Sequence, residues 1–377
     1  MSVATDLRWS PQQDAAIRDV RAWLADKSGP QVFRLFGFAG TGKTTLAREL
    51  AEAVKGTVLY ATFTGKAALE LRKKGCDGAS TIHSLIYKVN VNQRTGEAKF
   101  ELNPESALRD AKLLVVDEVS MVGEELARDL LSYKTRILVL GDPAQLPPVK
   151  DEGYFINAKP DVMLTEVHRQ AAENPIIRMS MDIREGRRLA AGRFGDSLVL
   201  SQRSTDREEL SSLVLKADQL ICGLNRSRTA FNARIRTLKD LVGTDQPWHP
   251  APGDRLICLR NNHERHLFNG GLWAASHITS IGARLEILVE SQDEDRDPLT
   301  VNVFEHFFCG REQELEWRER RKCDEFTFGW AITCHKSQGS QWDDVIVFDE
   351  SGSFRDAQRN WLYTAVTRAA ERVTVVL

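Results

Sequence analysis

The sequence contains no apolar run that approaches the length of about 20 residues needed for a bilayer-spanning helix. Its first residues, MSVATDLRWSPQQ, lack the basic and apolar regions of a secretion signal. We therefore expect a cytoplasmic protein with no membrane partner.

A cysteine pattern for disulfides or zinc is also missing. The six cysteines are scattered and none belongs to a C-x-x-C pair. This spacing indicates reduced thiols and argues against a disulfide framework or a zinc site. The pairs His263-x-x-His266 and His306-x-x-Cys309 have ligand-like spacing. Because neither pair has a matching second pair, ordinary structural roles are the simpler interpretation.

An excess of positive charge is absent, since Lys and Arg total 51, Asp and Glu total 53, and the net charge is −2. This balance argues against a passive nucleic-acid coat protein. It leaves room for a local basic groove, because affinity depends on where the cations lie. Repeats and low-complexity segments are not found either. A chain of 377 residues exceeds one ordinary core, so we expect two or more domains.

What the sequence does contain is a phosphate-loop motif within residues 32–50, VFRLFGFAGTGKTTLAREL. The segment GFAGTGKT matches G-x-x-x-x-G-K-[ST] between a predicted strand and a predicted helix. Its glycines allow positive φ, so that backbone N–H groups and the helix N-terminus can converge on phosphate oxygens. Lys43 would reach the β- and γ-phosphates, and the Thr44 hydroxyl would ligate Mg²⁺. The predicted phosphate-binding residues are Gly37, Gly40, Thr41, Gly42, Lys43, Thr44 and Thr45.

Polar residues follow two further predicted strands. The run LLVVD is typical of a parallel strand covered on both faces and ends at Asp117. We expect Asp117 to hold Mg²⁺ through water and Glu118 to orient and deprotonate the attacking water. Gln145, in GDPAQLPPV after the next strand, is placed to sense the γ-phosphate. Gln13, on a helix ahead of the loop, either reads adenine or is a solvated helix residue.

The rest of the chain predicts a second α/β unit with insertions. Residues 88–102 resemble a β-hairpin, which is either functional or a surface flap. A second α/β unit is expected to begin near residue 171, and residues 247–311 suggest a small inserted β module. Residues 326–333 read as one apolar strand-like run. Phe63, Tyr87 and Trp248 could stack on bases, although core packing is the simpler role for each.

Eight blocks in order resemble superfamily 1 DNA helicases of the RecD-like and Dda-like branch (SF1B), over nearly the whole chain. They are GFAGTGKTT, ATFTGKAA, STIHSL, VVDEVSM, GDPAQLPPV, LTEVHRQ, AITCHKSQGS and LYTAVTRA. The resemblance implies an α/β fold of two RecA-like P-loop motor domains. The first would be residues 1–170 with a pin hairpin near residues 86–104. The second would be residues 171–377 with an SH3-like β insertion near residues 248–322, carried by GDRLICLRNN and LFNGG.

The same resemblance implies roles for individual residues, with ATP between the two domains. Lys43 and Thr44 would bind phosphate and Mg²⁺, Asp117 the Mg²⁺, and Glu118 would be the base. The other implied nucleotide residues are Gln13 at adenine, Gln145 as γ-phosphate sensor, Gly339, and the arginine fingers Arg169 and Arg368. Single-stranded DNA would touch Phe63, Thr64, Lys66, Thr81, His83, Thr333 and His335. Gln341 departs from the pattern, since many relatives have a ribose-contacting Glu there.

The implied function is an ATP-dependent DNA helicase or translocase with 5′-to-3′ polarity, acting in replication, recombination or repair. Expected partners are single-stranded DNA, duplex junctions and a single-strand-binding or replication protein. A monomer in a bacterial cytoplasm, or in the host cytoplasm if phage-encoded, is expected. We identify no nuclease motif, and the length of the chain leads us to expect no accessory N-terminal domain like that of longer relatives. A superfamily 1 RNA helicase and a non-catalytic nucleic-acid-binding scaffold are the alternatives, and the scaffold is disfavoured because the catalytic residues are all present.

Overall fold

Two compact units make up the chain. The computed structural model describes residues 9–91, 98–147, 153–167, 173–243, 246–262 and 264–377. Contacts group Met1–Phe63 with Ala67–Glu185, and Thr64–Lys66 with Gly186–Leu377. The domain boundary after residue 170 stays a prediction, and the helix at Pro175–Arg184 is grouped with the first unit. Within the described ranges, no helix is long and apolar enough to cross a membrane.

The first unit is an α/β body. Its described strands are β1 (Val32–Gly37), β2 (Val58–Thr62), β3 (Ser80–Thr81), β4 (Tyr87–Val91), β5 (Ala98–Leu102), β6 (Leu113–Val116), β7 (Ile137–Gly141) and β8 (Val162–Leu164). Its described helices, including one whose first residues group with the second unit, are α1 (Pro11–Ala25), α2 (Lys43–Glu52), α3 (Gly65–Lys73), α4 (Ile82–Ile86), α5 (Glu124–Ser132) and α6 (Pro175–Arg184).

Six of these strands form a parallel sheet in the order β3-β2-β6-β7-β1-β8. Residues of α1 and α2 form one core cluster with the sheet, and residues of α4 and α5 form another. Because helices cover both faces, central strands such as β6 and β7 are buried at every position. The carboxyl ends of β1, β6 and β7 consequently bring the phosphate loop, Asp117 and the Gln145 loop to one edge.

The predicted hairpin forms as a separate two-stranded sheet. Strands β4 and β5 pair antiparallel, with Tyr87 opposite Leu102. The flanking Ile86 and Leu108 are fully buried in the core of the first unit. The hairpin therefore starts from a well-packed base, and its role in strand separation stays a prediction.

The second unit contains a parallel sheet and an inserted β module. Its described strands are β9 (Gly192–Phe194), β10 (Ser197–Leu200), β11 (Gln219–Cys222), β12 (Arg255–Cys258), β13 (Leu272–Ile281), β14 (Arg284–Ser291), β15 (Leu299–Phe304), β16 (Phe326–Phe328), β17 (Ala331–Thr333), β18 (Trp342–Phe348) and β19 (Ala369–Val376). Its described helices are α7 (Arg207–Lys216), α8 (Asn225–Leu238), α9 (Trp317–Arg320), α10 (Cys334–Ser337) and α11 (Gln358–Val366).

The main sheet has the order β17-β11-β18-β19-β10-β9 and is parallel except for the edge strand β9. The β module is an antiparallel sheet, β15-β14-β13-β12-β16, with its own core. The two six-stranded sheets form the centres of the two RecA-like domains of the predicted α/β fold. The apolar run at residues 326–333 is divided between both sheets of this unit, which differs from the single strand expected.

A buried ion pair connects α8 to the β module within the second unit. Arg236 and Asp254 are 2% and 0% exposed, and Arg236 Nε lies 3.0 Å from Asp254 Oδ2. Trp330 Nε1 also donates to Asp254 Oδ1 at 3.1 Å, and the Ala251 N–H donates to Oδ2 at 2.8 Å. Burial raises the pKa of Asp254, and the Arg236 guanidinium opposes that change. The carboxylate is thus stable in the core only while its partners remain.

We expect Asp254→Ala to lower the free energy of unfolding of the second unit by about 3–5 kcal/mol, because a buried guanidinium then loses its counter-charge. Urea unfolding followed by tryptophan fluorescence measures the change, and Trp330 lies at the altered site. The control, Asp295→Ala in an exposed loop, should shift the same value by less than about 0.5 kcal/mol. Equal shifts in both variants would contradict the assignment of this pair.

Candidate active site

The phosphate loop connects β1 to α2. Gly40 and Gly42 have φ of 77° and 76°, a conformation that residues with a Cβ rarely adopt. A Cβ at Gly37 would lie 2.7 Å from Thr41 Oγ1 and 2.8 Å from Leu164 Cβ. These glycines therefore determine the loop path, and α2 begins at Lys43 with its N-terminal N–H groups at the loop.

Lys43 extends back over this loop. Its ammonium donates to the carbonyl oxygens of Gly37 at 2.6 Å and Phe38 at 3.0 Å. Thr41 is fully buried, and its hydroxyl donates to the Phe38 carbonyl at 2.8 Å. Thr45 is partly exposed in the first turn of α2. The cation is thus held by the backbone of the predicted phosphate-binding segment.

Thr44 and Asp117 meet although 73 positions separate them in the chain. The Thr44 hydroxyl donates to Asp117 Oδ2 at 2.9 Å, and the Glu118 N–H donates to Oδ1 at 2.8 Å. Glu118 has φ of 54°, a strained conformation for a residue with a Cβ. That backbone turn directs the Glu118 N–H at its neighbour's carboxylate.

Burial raises the pKa of Asp117, and the adjacent Glu118 carboxylate raises it further. The Thr44 hydrogen bond, the Glu118 N–H and the Lys43 charge act in the opposite direction. Two carboxylates at one strand end therefore leave a local excess of negative charge. A bound cation would offset this excess.

Gln13 and Gln145 complete the set predicted in the first unit. Gln13 is 2% exposed, its Nε2 donates to the Thr41 carbonyl at 3.0 Å, and its Oε1 accepts from the Ser10 N–H at 3.0 Å. It is therefore not a solvated helix residue, and its contact with adenine stays a prediction. Gln145 is half-buried, and its Oε1 accepts from the Ser120 hydroxyl at 3.3 Å.

Two contacts beside this site were not predicted from the sequence. The Arg184 guanidinium lies 3.7 Å from the centroid of the Phe38 ring. Gln12 accepts from the N–H groups of Thr165 and Glu166 at 2.8 and 2.9 Å. Neither belongs to a local motif, because each depends on residues more than a hundred positions away.

The predicted nucleotide residues of the second unit lie near one another. Arg368 is 7% exposed, and it donates to the carbonyl oxygens of Ser340 at 3.3 Å and Thr364 at 3.2 Å. Gly339, next to Ser340, has φ of 76°. Gln341 is exposed. Arg169 lies outside the described residues, so its role as an arginine finger stays a prediction.

The residues expected to contact DNA fall into separate groups. In the first unit, the Phe63 and His83 rings pack edge to face at 5.8 Å, and the Thr81 hydroxyl caps α4 by accepting from Ser84 N–H. In the second unit, Thr333 is 8% exposed, and burial lowers the pKa of His335. DNA binding by these residues stays a prediction.

Thr64–Lys66 are grouped with the second unit by their contacts. The Lys66 ammonium forms an ion pair with Asp293, and the Lys66 and Asp293 side chains are 5% and 7% exposed. Asp293 also accepts from the Leu272 N–H at 2.9 Å. The Lys66 ammonium therefore already has a buried carboxylate partner. Its contact with DNA stays a prediction.

The described ranges contain no group of three or more His, Cys, Asp or Glu side chains that could hold a metal ion. His263 lies outside these ranges, and the Cys309 thiol donates to the carbonyl oxygens of Glu305 and His306.

Known families and proteins resemble this chain over most of its length. The AAA domain family matches residues 8–199, and the UvrD-like helicase C-terminal domain matches residues 328–376. The ATP-dependent RecD2 DNA helicase of Deinococcus radiodurans is 30% identical over 93% of this chain. The ATP-dependent DNA helicase Pif1 of Bdellovibrio bacteriovorus is 25% identical over 90% of it. The chain belongs to the AAA domain family, and it is similar to superfamily 1 helicases of the RecD, Pif1 and Dda type.

This chain spans different fractions of the two relatives. It covers 47% of the RecD2 helicase and 82% of the Bdellovibrio Pif1 helicase. The solved structure of Bacteroides Pif1 bound to single-stranded DNA matches with a TM-score of 0.57 and 19% identity, over 98% of this chain and 92% of that one. The structural match supports the two-domain RecA-like fold.

Proposed function

We propose that this chain is an ATP-dependent DNA helicase or translocase that hydrolyses ATP at the phosphate loop of its first RecA-like domain. The observation that carries the proposal is the hydrogen bond from Thr44 to Asp117 beside Lys43. It brings the hydroxyl and the carboxylate together at the phosphate loop, which also holds the ammonium, and a nucleoside triphosphate site requires these three groups. The RecD2 and Pif1 relatives, both named ATP-dependent DNA helicases, support the choice of reaction.

Mg²⁺ fits the residues present. Thr44 Oγ1 and Asp117 Oδ2 are 2.9 Å apart. This spacing is a hydrogen bond, so a Thr44 hydroxyl that binds the ion through its oxygen can still donate its proton to Asp117, which orients the hydroxyl from outside. Oxygen donors and an excess of negative charge are what this cation prefers. We propose that Thr44 holds Mg²⁺ directly and Asp117 through water, and when bound the ion neutralises charge on the β- and γ-phosphates.

Hydrolysis is assigned to the residues around this site. The Lys43 ammonium would exchange its neutral carbonyl acceptors for charged phosphate oxygens, which form stronger hydrogen bonds. Glu118 would orient the attacking water and accept its proton. Gln145 would respond to the γ-phosphate, and Arg169 and Arg368 would stabilise charge on the transferring phosphoryl group.

The proposed substrate is single-stranded DNA, with duplex junctions opened during 5′-to-3′ movement. Solved structures of Pif1 helicases with single-stranded DNA and with forked duplex DNA support this class of substrate. Phe63, Thr64, Lys66, Thr81, His83, Thr333 and His335 remain the proposed DNA contacts. The hairpin of β4 and β5 is the proposed strand-separating pin. We also propose a monomer that works with a single-strand-binding or replication protein.

ATP hydrolysis measured with single-stranded DNA, with RNA of the same length and with neither tests this proposal. We expect strong stimulation by DNA and little by RNA. Equal stimulation by RNA would transfer the substrate to the RNA helicase class. Failure to hydrolyse ATP under all three conditions would contradict the proposed enzymatic activity and would favour a nucleic-acid-binding scaffold.

A further inference from the structure

The base of the hairpin is held by the hydroxyl of Tyr133, the C-cap residue of α5. This hydroxyl lies 2.8 Å from the Ile86 carbonyl oxygen and 2.8 Å from the Asn103 carbonyl oxygen. Ile86 immediately precedes β4 and Asn103 immediately follows β5, and the Asn103 N–H donates to the Ile86 carbonyl at 2.8 Å. One side chain therefore contacts both strand ends where the hairpin leaves the core.

A second tyrosine fastens β4 to the same helix. The Tyr87 hydroxyl donates to Asp129 Oδ2 at 2.5 Å. Asp129 and Tyr133 are four residues apart in sequence, so they lie on one face of α5. Burial raises the pKa of both tyrosines, and the Asp129 hydrogen bond raises that of Tyr87 further. Both phenols are donors at neutral pH, as tyrosines ordinarily are, and these shifts extend the donor form to higher pH.

Tyr87 also belongs to a row of aromatic rings. Its ring lies 5.8 Å from the His83 ring and 6.1 Å from the Phe100 ring. His83 in turn contacts Phe63, and both are proposed DNA contacts. At the other end, Phe100 on β5 is 62% exposed. The anchored ring thus lies between the proposed DNA-binding residues and the exposed side of the hairpin.

We infer that Tyr133 and Tyr87 are positioning residues that hold the hairpin rigidly against α5, so that motor movement separates strands instead of bending the hairpin. An isolated two-stranded hairpin is only marginally stable in water, and its stiffness has to come from its attachment. Each hydroxyl supplies one attachment to a different part of that base. This inference rests on the proposed helicase function.

The test compares Tyr133→Phe, Tyr87→Phe and the double variant with wild type. Each substitution keeps the ring and removes only the hydroxyl. DNA-stimulated ATP hydrolysis and unwinding of a 5′-tailed forked duplex are measured on the same preparations. We expect unchanged hydrolysis, and base pairs opened per ATP to fall about fivefold for each hydroxyl removed. Tyr154→Phe, a 37% exposed tyrosine of the same unit, is the matched control and should change neither value.

The possible failures are distinguishable. If wild type hydrolyses ATP but separates no strands, the helicase part of the proposed function fails and the inference fails with it. If wild type unwinds and the double variant opens as many base pairs per ATP, the inference alone is overturned. A parallel fall in hydrolysis and unwinding would also overturn it, because that result indicates general structural damage.

Discussion

Replacing Lys43 by alanine will lower DNA-stimulated ATP hydrolysis by about a thousandfold and eliminate unwinding. The ammonium lies on the phosphate loop, 2.6 Å from the Gly37 carbonyl and 3.0 Å from the Phe38 carbonyl. Losing one donor aimed at developing negative charge slows catalysis by roughly a hundredfold to a thousandfold. Lys43 also offsets the two carboxylates at the end of β6, so the upper end of this range is expected. Steady-state phosphate release with saturating single-stranded DNA measures the effect.

Lys55→Ala is the matched control for this variant. Lys55 is an exposed residue three positions beyond the end of α2, so removing its charge leaves the loop intact. Its turnover should equal that of wild type. A Lys43→Ala protein that retains most of the wild-type turnover would contradict the assignment of the phosphate loop.

Glu118→Gln will slow hydrolysis by about a hundredfold to ten-thousandfold while leaving ATP binding unchanged. The amide has nearly the size of the carboxylate but cannot accept the proton of the attacking water. The Glu118 N–H bond to Asp117 belongs to the backbone, so the substitution should preserve that contact. Equilibrium binding of a fluorescent ATP analogue, together with single-turnover hydrolysis, separates the two effects.

Glu124→Gln provides the comparison for Glu118→Gln. Glu124 is an exposed residue at the start of α5 and lies outside the proposed chemistry. We expect wild-type turnover from it. Rapid hydrolysis by Glu118→Gln would mean that another group accepts the proton of the attacking water. Loss of ATP binding would mean that Glu118 maintains the conformation of the phosphate loop instead of acting as the base.

The part of the candidate site that lies in the first unit was predictable, because two sequence features determine it. The phosphate loop is contiguous, so its glycines and Lys43 could be identified from spacing alone. Asp117 is distant in sequence, but the carboxyl ends of parallel strands lie at one edge of a sheet. A buried run ending in Asp117 therefore predicted a carboxylate next to the phosphate loop, and in the structure this carboxylate accepts a hydrogen bond from Thr44.

Other features depend on tertiary contacts that no local pattern encodes. The run at residues 326–333 contains no charged residue and resembles one strand, yet β16 pairs with β12 while β17 pairs with β11. Gly329 lies between them, and a Cβ there would be 3.0 Å from the Leu256 carbonyl carbon, so a close backbone approach marks the division. The burial of Lys66 against Asp293 and the contact of Arg184 with Phe38 likewise join residues far apart in sequence.

The most direct test of the motor assignment is strand separation with a duplex carrying a 5′ single-stranded tail and one carrying a 3′ tail. We expect wild type to unwind the 5′-tailed duplex, and to do so only while it hydrolyses ATP. We expect Lys43→Ala to unwind neither duplex. No strand separation from either substrate, or equal separation by Lys43→Ala, would contradict an ATP-driven helicase.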